Sequence, residues 1–250
     1  MTETHLPSRD HVDYVQRRAE LPMGMHNRDD IVNYFAWQAE LFAGHARGTI
    51  IDHGAGTGGL SSALLAAKLG DVVAVEPDPQ LVEVLHAKFD GVAHASVSAG
   101  TLDDYLAAHG PASVDTIVSS NVIEHIADDV ACLEAMFELL RPGGSVGLYV
   151  PARPELFGSL DRAVGHHRRY TKPELQKKLS RAGFDVELVQ YRNLVSVLPW
   201  LITGRIMKLD KLGDGSLKLF DKVVFPVARW IEDRLPPSYG LNLVAIGTKR

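Results

Sequence analysis

A single cysteine stands among the 250 residues. One thiol forms no internal disulfide and builds no multi-cysteine metal site, and it suits a reducing compartment. Long apolar runs are scarce as well. The richest, Asn193 to Met207, is broken by Pro199 and Arg205 and is too short to span a bilayer. The first ten residues lack the apolar centre of a signal peptide, so the expected location is cytoplasmic. Basic charge is not in excess either: 26 Lys and Arg stand against 31 Asp and Glu, a formal net charge of −5. Clustered cations that neutralise phosphates are what nucleic-acid binding requires, so no nucleic-acid partner is expected. The histidines show no metal-ligand spacing. His166 and His167 are adjacent, which suits joint ligation poorly, and no metal is expected.

What remains is an ordinary globular composition, 46% hydrophobic and 23% charged, at a length that suits one large α/β domain. Short β-branched runs at Thr49–His53, Val72–Val75, Val92–Val97, Val114–Ser119 and Ser145–Val150 alternate with helical patterns. Those helices cover Leu60–Leu69, Asp78–Phe89 and Asp128–Leu140, while Phe184–Tyr191 and Leu241–Gly247 supply two further strands. This rhythm predicts an α/β fold, a doubly wound, mostly parallel, seven-stranded Rossmann-like sheet with helices on both faces.

One domain is expected over residues 1–250. It divides into a loose arm (1–26), a cofactor-binding core (27–192), a helical insertion (193–239) and a final strand (240–250). Asn27 is the expected cap of the first helix, with Asp29 and Asp30 in its first turn. Pro151–Tyr170 reads as a long basic loop and Lys172–Arg181 as a helix.

The most informative segment is Asp52-His53-Gly54-Ala55-Gly56-Thr57-Gly58, at the carboxyl end of the first strand, where parallel sheets bind ligands. Glu76 ends the second strand, where a carboxylate can accept ribose hydroxyls. A nicotinamide site would want G-x-G-x-x-G and a pyrophosphate at a helix N-terminus. Here the glycines fall at every second position, and Asp52 would repel a pyrophosphate while suiting an ammonium. An NAD-dependent oxidoreductase is therefore disfavoured, and a turn without ligand is the plainer alternative.

Asp52-x-Gly54-x-Gly56-x-Gly58 with Glu76 resembles the first two cofactor motifs of class I S-adenosylmethionine-dependent methyltransferases. Ser120–Ile126 (SNVIEHI) and Leu140–Gly144 (LRPGG) resemble the small-molecule subgroup that includes ubiquinone-biosynthesis methyltransferases. The resemblance covers residues 28 to 192. It implies S-adenosylmethionine as cofactor and S-adenosylhomocysteine as product. Asp52, Gly54, Ala55, Gly56 and Gly58 would hold the methionine portion, and Glu76, followed by Pro77, the ribose. Thr101 and Leu102 would flank adenine, and Asn121 and Val122 would pass beneath the sulfonium. The implied reaction is methyl transfer to a small molecule, O-methylation ahead of N- or C-methylation. A repurposed fold, a cyclase or a non-catalytic partner, is the alternative.

Acceptor residues should lie on loops at the same sheet edge. Gly165-His166-His167-Arg168-Arg169-Tyr170 is the strongest segment. His166 is the leading general base, with His167 and Tyr170 behind it. The arginines would clamp a carboxylate or phosphate, or, on the plainer reading, pair Asp161 and Glu174. Tyr34 and Trp37 would close over the methionine end or serve as core, His125 is a weaker acceptor contact, and Cys132 a small core residue. The apolar segment Leu194–Leu235 would be a lid, a dimer interface or an interfacial anchor, and its place above the sheet edge favours a lid. The expected partner is a small-molecule substrate, anionic or lipid-linked, bound by a monomer or homodimer.

Overall fold

The structure, a computed structural model, describes residues 31–208 and 220–250, without the side chain of Phe220. The expected arm at 1–26, the Asn27 cap, Asp29 and Asp30 lie outside the described residues.

Seven strands form one sheet: β1 (Thr49–His53), β2 (Asp71–Glu76), β3 (Ala95–Ala99), β4 (Val114–Ser120), β5 (Leu140–Pro151), β6 (Asp185–Arg192) and β7 (Asn242–Thr248). Their order is β3-β2-β1-β4-β5-β7-β6. The pairings among β1 to β5 are parallel, whereas β7 runs antiparallel between β5 and β6. Ile50, Ile51, Ile117 and Val118 are all fully buried, as expected for central strands covered on both faces. The strand order reverses between β1 and β4, and that switch opens a crevice beyond their carboxyl ends.

The helices begin where the sequence caps them. α1 (Val32–Ala43) packs Trp37 and Phe42 onto one face of the sheet. α2 (Gly59–Ala66) leaves the glycine loop, and α3 (Pro79–Phe89) starts at Asp78, whose carboxylate accepts from the Gln80 N–H. α4 (Leu102–His109) opens on a capping box between Thr101 and Asp104. α5 (Asp129–Leu139) is capped by Asp128 and covers the other face with α7 (Lys172–Arg181).

Three expectations shift. β3 starts at Ala95 rather than Val92, because His94 takes a left-handed φ of 64° and Val92–His94 turns onto the end of α3. β5 starts at Leu140, taking in the Arg-Pro-Gly-Gly segment through an irregularity opposite Val114 and Thr116. Pro151–Tyr170 is not plain loop, since it holds a 3-10 turn (Pro154–Leu156) and the short helix α6 (Ser159–Ala163).

The described parts of the insertion are largely helical. α8 (Val197–Trp200) runs into a π-helical stretch (Leu201–Ile206), and a second π turn (Phe220–Val224) leads into α9 (Phe225–Arg234). A buried acid ties the insertion to the core, Asp221 accepting from the N–H groups of Asn33 and Tyr34, and a second, Glu232, accepts from those of Asn193 and Leu194 at its start. Among the described residues no helix is long and apolar enough to cross a membrane.

Candidate active site

The glycine loop leaves β1 as the residue pattern requires. Gly54, Gly56 and Gly58 hold φ values of 69°, 60° and 80°, the left-handed region that glycine enters without strain. At Gly54 a Cβ would also lie 2.7 Å from Cγ2 of Val122, so the loop rests directly on the segment after β4. Glu76 is fully buried, and its carboxylate accepts from the Gly56 N–H at 2.8 Å and the Asp78 N–H at 3.1 Å. Each of these oxygens has a second lone pair for a ribose hydroxyl.

Asp52, the expected ammonium contact, sits near the carboxyl end of β1. It is 2% exposed and accepts from the Ser61 hydroxyl at 2.6 Å, which ties β1 to α2. Burial raises its pKa to about 6, with Ser61 opposing and Glu76 adding to the rise. His53 is neutral, since burial lowers its pKa to about 4.

Beside the loop lies a cavity of about 270 Å³. Its lining includes Gly54, Pro77, Thr101, Leu102 and Val122, which the family pattern assigns to one cofactor: Gly54 to its methionine portion, Pro77, Thr101 and Leu102 to its ribose and adenine, and Val122 to its sulfonium region. His53, His125 and Cys132 also belong to the wall, so Cys132 faces the cavity as well as the core. Glycine and small apolar side chains, with the exposed carboxylates of Asp103 and Asp128, suit an adenosine moiety. Asn121, at φ 53°, lies toward the α1 side, where Asn242 donates to its side chain and Tyr34 adjoins it. Tyr34 stacks edge-on with Tyr149 and Phe225, and burial raises its hydroxyl to about 12. Trp37 is 1% exposed and serves as core.

The loop after β5 brings His166 against His125, which lines this cavity. Its Nδ1 lies 2.8 Å from Oδ1 of Asp161, its Nε2 lies 3.7 Å from Oε1 of Glu124, and its ring meets His125 edge-on at 4.7 Å. Glu124 is fully buried, and neither carboxylate oxygen reaches a partner at full hydrogen-bond geometry. Burial raises its pKa to about 8, so at neutral pH it is largely protonated. Burial also lowers the His166 pKa, against the pull of Asp161. The ligand-type atoms of Glu124, His125 and His166 lie within 4.8 Å of one another, a grouping of the kind that can hold a metal ion. Linear spacing did not display it, because the chain joins these residues only through the loop after β5.

The rest of this loop corrects the sequence expectation. Tyr170 is not an acceptor residue: it is fully buried beneath α5, and its hydroxyl donates to Asp129 at 2.8 Å. The arginines follow the plainer expectation, pairing with acids, in part. Arg169 pairs Asp161 at 2.7 Å and donates to the Ala152 carbonyl, while Arg168 pairs Asp129 at 2.9 Å. The His167 ring is exposed, and its backbone N–H donates to the Glu124 carbonyl. Glu124 and Asp161 are the members that sequence reasoning missed as site residues. Both were visible, one inside the motif after β4 and the other five residues before His166.

The methyltransferase-domain family matches residues 26–189 of the chain. A ubiquinone biosynthesis O-methyltransferase of Xanthomonas euvesicatoria pv. vesicatoria is 33% identical over 172 residues, 62% of this chain and 69% of that protein. The chain spans less of two further Xanthomonas proteins of that name, 63% and 56% of their lengths. Among solved structures, the methyltransferase in complex with the Haloferax volcanii Trm112 activator superposes with a TM-score of 0.59 at 18% identity, covering 97% of this chain and 98% of that one. The [4+2]-cyclase SpnF gives a TM-score of 0.58 at 15% identity, covering 96% and 93%. At such identities the structures attest the shared fold.

Proposed function

The chain belongs to the methyltransferase-domain family, as a class I S-adenosylmethionine-dependent methyltransferase, and from that premise we propose that it methylates an oxygen of a small-molecule acceptor with His166 as general base. The observation that carries this reading is the row Asp161, His166, Glu124, packed against His125 of the cavity wall. S-adenosylmethionine supplies an activated methyl group on a sulfonium. The chain's share is to align the acceptor in line with it and remove a proton. Alignment alone contributes about 7–11 kcal/mol, and a general base about 10²–10⁴-fold.

His166 is neutral at pH 7 because burial lowers its pKa. Asp161 accepts from Nδ1–H, which leaves the Nε2 lone pair for the acceptor hydroxyl proton. As the oxygen–methyl bond forms, the carbon–sulfur bond breaks, S-adenosylhomocysteine leaves, and Asp161 stabilises the imidazolium. The choice of oxygen is supported by the named activity of the Xanthomonas relatives. That activity also favours a phenolic, lipid-linked acceptor.

The insertion at 193–239 serves as a lid on its inner side. The Arg169 guanidinium lies 4.8 Å from the Trp200 ring centroid, and Ser159 donates to the Gly204 carbonyl, so the insertion closes on the catalytic loop. The deciding experiment incubates the protein with S-adenosylmethionine and phenolic acceptors and reads product mass. One added CH₂ with release of S-adenosylhomocysteine supports the proposal. An isomerised product of unchanged mass would move the reading to a cyclase, the activity named for one solved relative of this fold.

A further inference from the structure

The outer side of the insertion carries most of the apolar surface that the described residues leave uncovered. Fourteen large hydrophobic side chains are exposed among them, and eleven of these fall between Leu194 and Leu235. They form two ladders at four-residue spacing. Leu194, Leu198, Ile202 and Ile206 mark the first arm, 38–69% exposed. Val223, Val227, Ile231 and Leu235 mark the second, 49–73% exposed. Glu232 bonds to the backbone at the start of the first arm, which ties the two together. Exposed apolar ladders of this kind, on two arms tied to each other, mark an interaction surface.

Charge identifies its partner. The acids of the described insertion are turned inward or engaged. Asp221 and Glu232 are 3% and 5% exposed, and Asp233 accepts from the Trp37 indole and from Arg229. The bases Arg205, Lys208, Lys222 and Arg234 are exposed. In a chain of net charge −5, the described insertion thus exposes four bases at positions interleaved in sequence with its apolar ladders. Trp230, 58% exposed beneath the Arg234 guanidinium, is the amphipathic residue favoured at a bilayer interface.

We propose that this face docks the protein on the surface of an anionic lipid bilayer, with both ladders at the acyl boundary and the basic side chains among the headgroups. The inner side of the same insertion covers the catalytic loop, so docking would place the acceptor entrance against the membrane. The inference does not depend on the methyl-transfer reading, and its test uses no turnover.

The full chain is sedimented with vesicles of phosphatidylcholine alone and of equal phosphatidylcholine and phosphatidylglycerol. The wild type should pellet with the anionic vesicles, with partition at least about tenfold weaker on the neutral ones and falling with salt. Leu198→Glu with Val227→Glu should lower anionic partition about tenfold or more at unchanged melting temperature. Should that pair fail to fold, Lys208→Glu with Lys222→Glu must abolish the anionic preference. A wild type that stays in the supernatant at every composition overturns the proposal. So does a charge-reversed protein that binds as before, or a stable dimer that Leu198→Glu and Val227→Glu dissolve without any vesicle binding, since the occupant would then be a second copy.

Discussion

Asp161 and His166 are joined at 2.8 Å between Oδ1 and Nδ1, and this contact decides which ring nitrogen remains for chemistry. Burial would raise the Asp161 pKa, but His166 and Arg169 hold it below the ordinary carboxylate range. The carboxylate is therefore ionised and accepts from Nδ1–H. Nε2 is left as the basic site, facing Glu124 and adjoining His125.

His166→Ala should lower kcat about 10²-fold while S-adenosylmethionine affinity stays near wild type, since the cofactor groups lie on earlier loops. Calorimetry and steady-state rates check both halves. In the wild type the acid limb of the rate profile should lie below the usual imidazole range, because burial lowers the His166 pKa, and the variant should lack that limb. Wild-type turnover in the variant would leave the histidine a structural role only.

Glu124 gives a stability prediction of fixed sign. Its folded pKa of about 8 stands above the ordinary 4.5, so the folded protein binds the extra proton between those values. The stability this contributes is full below pH 4.5 and is lost as pH rises through about 8. Glu124→Gln keeps the neutral shape and should flatten the decline, a difference on the order of a few kcal/mol by pH 9. Melting temperatures of both proteins at pH 6 and pH 9 measure it. Equal slopes would show that Glu124 is not held protonated.

The glycine loop was legible because its requirement is local. A left-handed backbone at Gly54, Gly56 and Gly58 is written directly in residue type, as is the capping box at Thr101 and Asp104. The central strands β1 and β4 read well because their runs are almost wholly buried, whereas β3, part-exposed along its length, was placed three residues early. Asp52 was harder, because its partner Ser61 belongs to the next helix and competes with the ligand expected there. The Gly-His-His-Arg-Arg-Tyr segment was misread in part for a related reason. A loop has no period, so nothing in its sequence says that Tyr170 turns to Asp129 while His166 turns to Asp161. Glu124 meets His166 only because the loop after β5 folds back over the segment after β4.

Gly54→Ala should weaken S-adenosylmethionine binding and lower stability together, since the added carbon meets Val122 and the φ of 69° strains any other residue. Glu76→Ala should weaken binding through a different cause: the Gly56 and Asp78 N–H groups lose their acceptor and the loop loosens. Each unpaired buried donor costs about 1–3 kcal/mol. Calorimetric affinities within twofold of wild type for both variants would remove the loop from the cofactor site.

Tyr170→Phe separates framework from chemistry. The variant loses one hydrogen bond to Asp129, which keeps Lys178 at 2.7 Å and Arg168 at 2.9 Å. Stability should fall by about 1 kcal/mol, with kcat unchanged. A large fall in kcat at constant KM would return the tyrosine to the acceptor site, against its burial beneath α5.

Trp200 carries the last prediction. Its indole Nε1 is buried without a hydrogen-bond partner, while its ring is stacked on Arg169, which in turn pairs Asp161. A donor left in this position beside the catalytic loop is suited to an acceptor oxygen. Trp200→Ala should raise the acceptor KM about tenfold, the weight of one buried hydrogen bond, with cofactor affinity unchanged. Trp200→Phe keeps an aromatic plate over Arg169 and removes only the N–H. If the indole donates to the acceptor, the Phe variant shares the higher KM; if the plate alone matters, its KM stays at the wild-type value. Neither variant altering KM would mean that the insertion does not close over the acceptor at all.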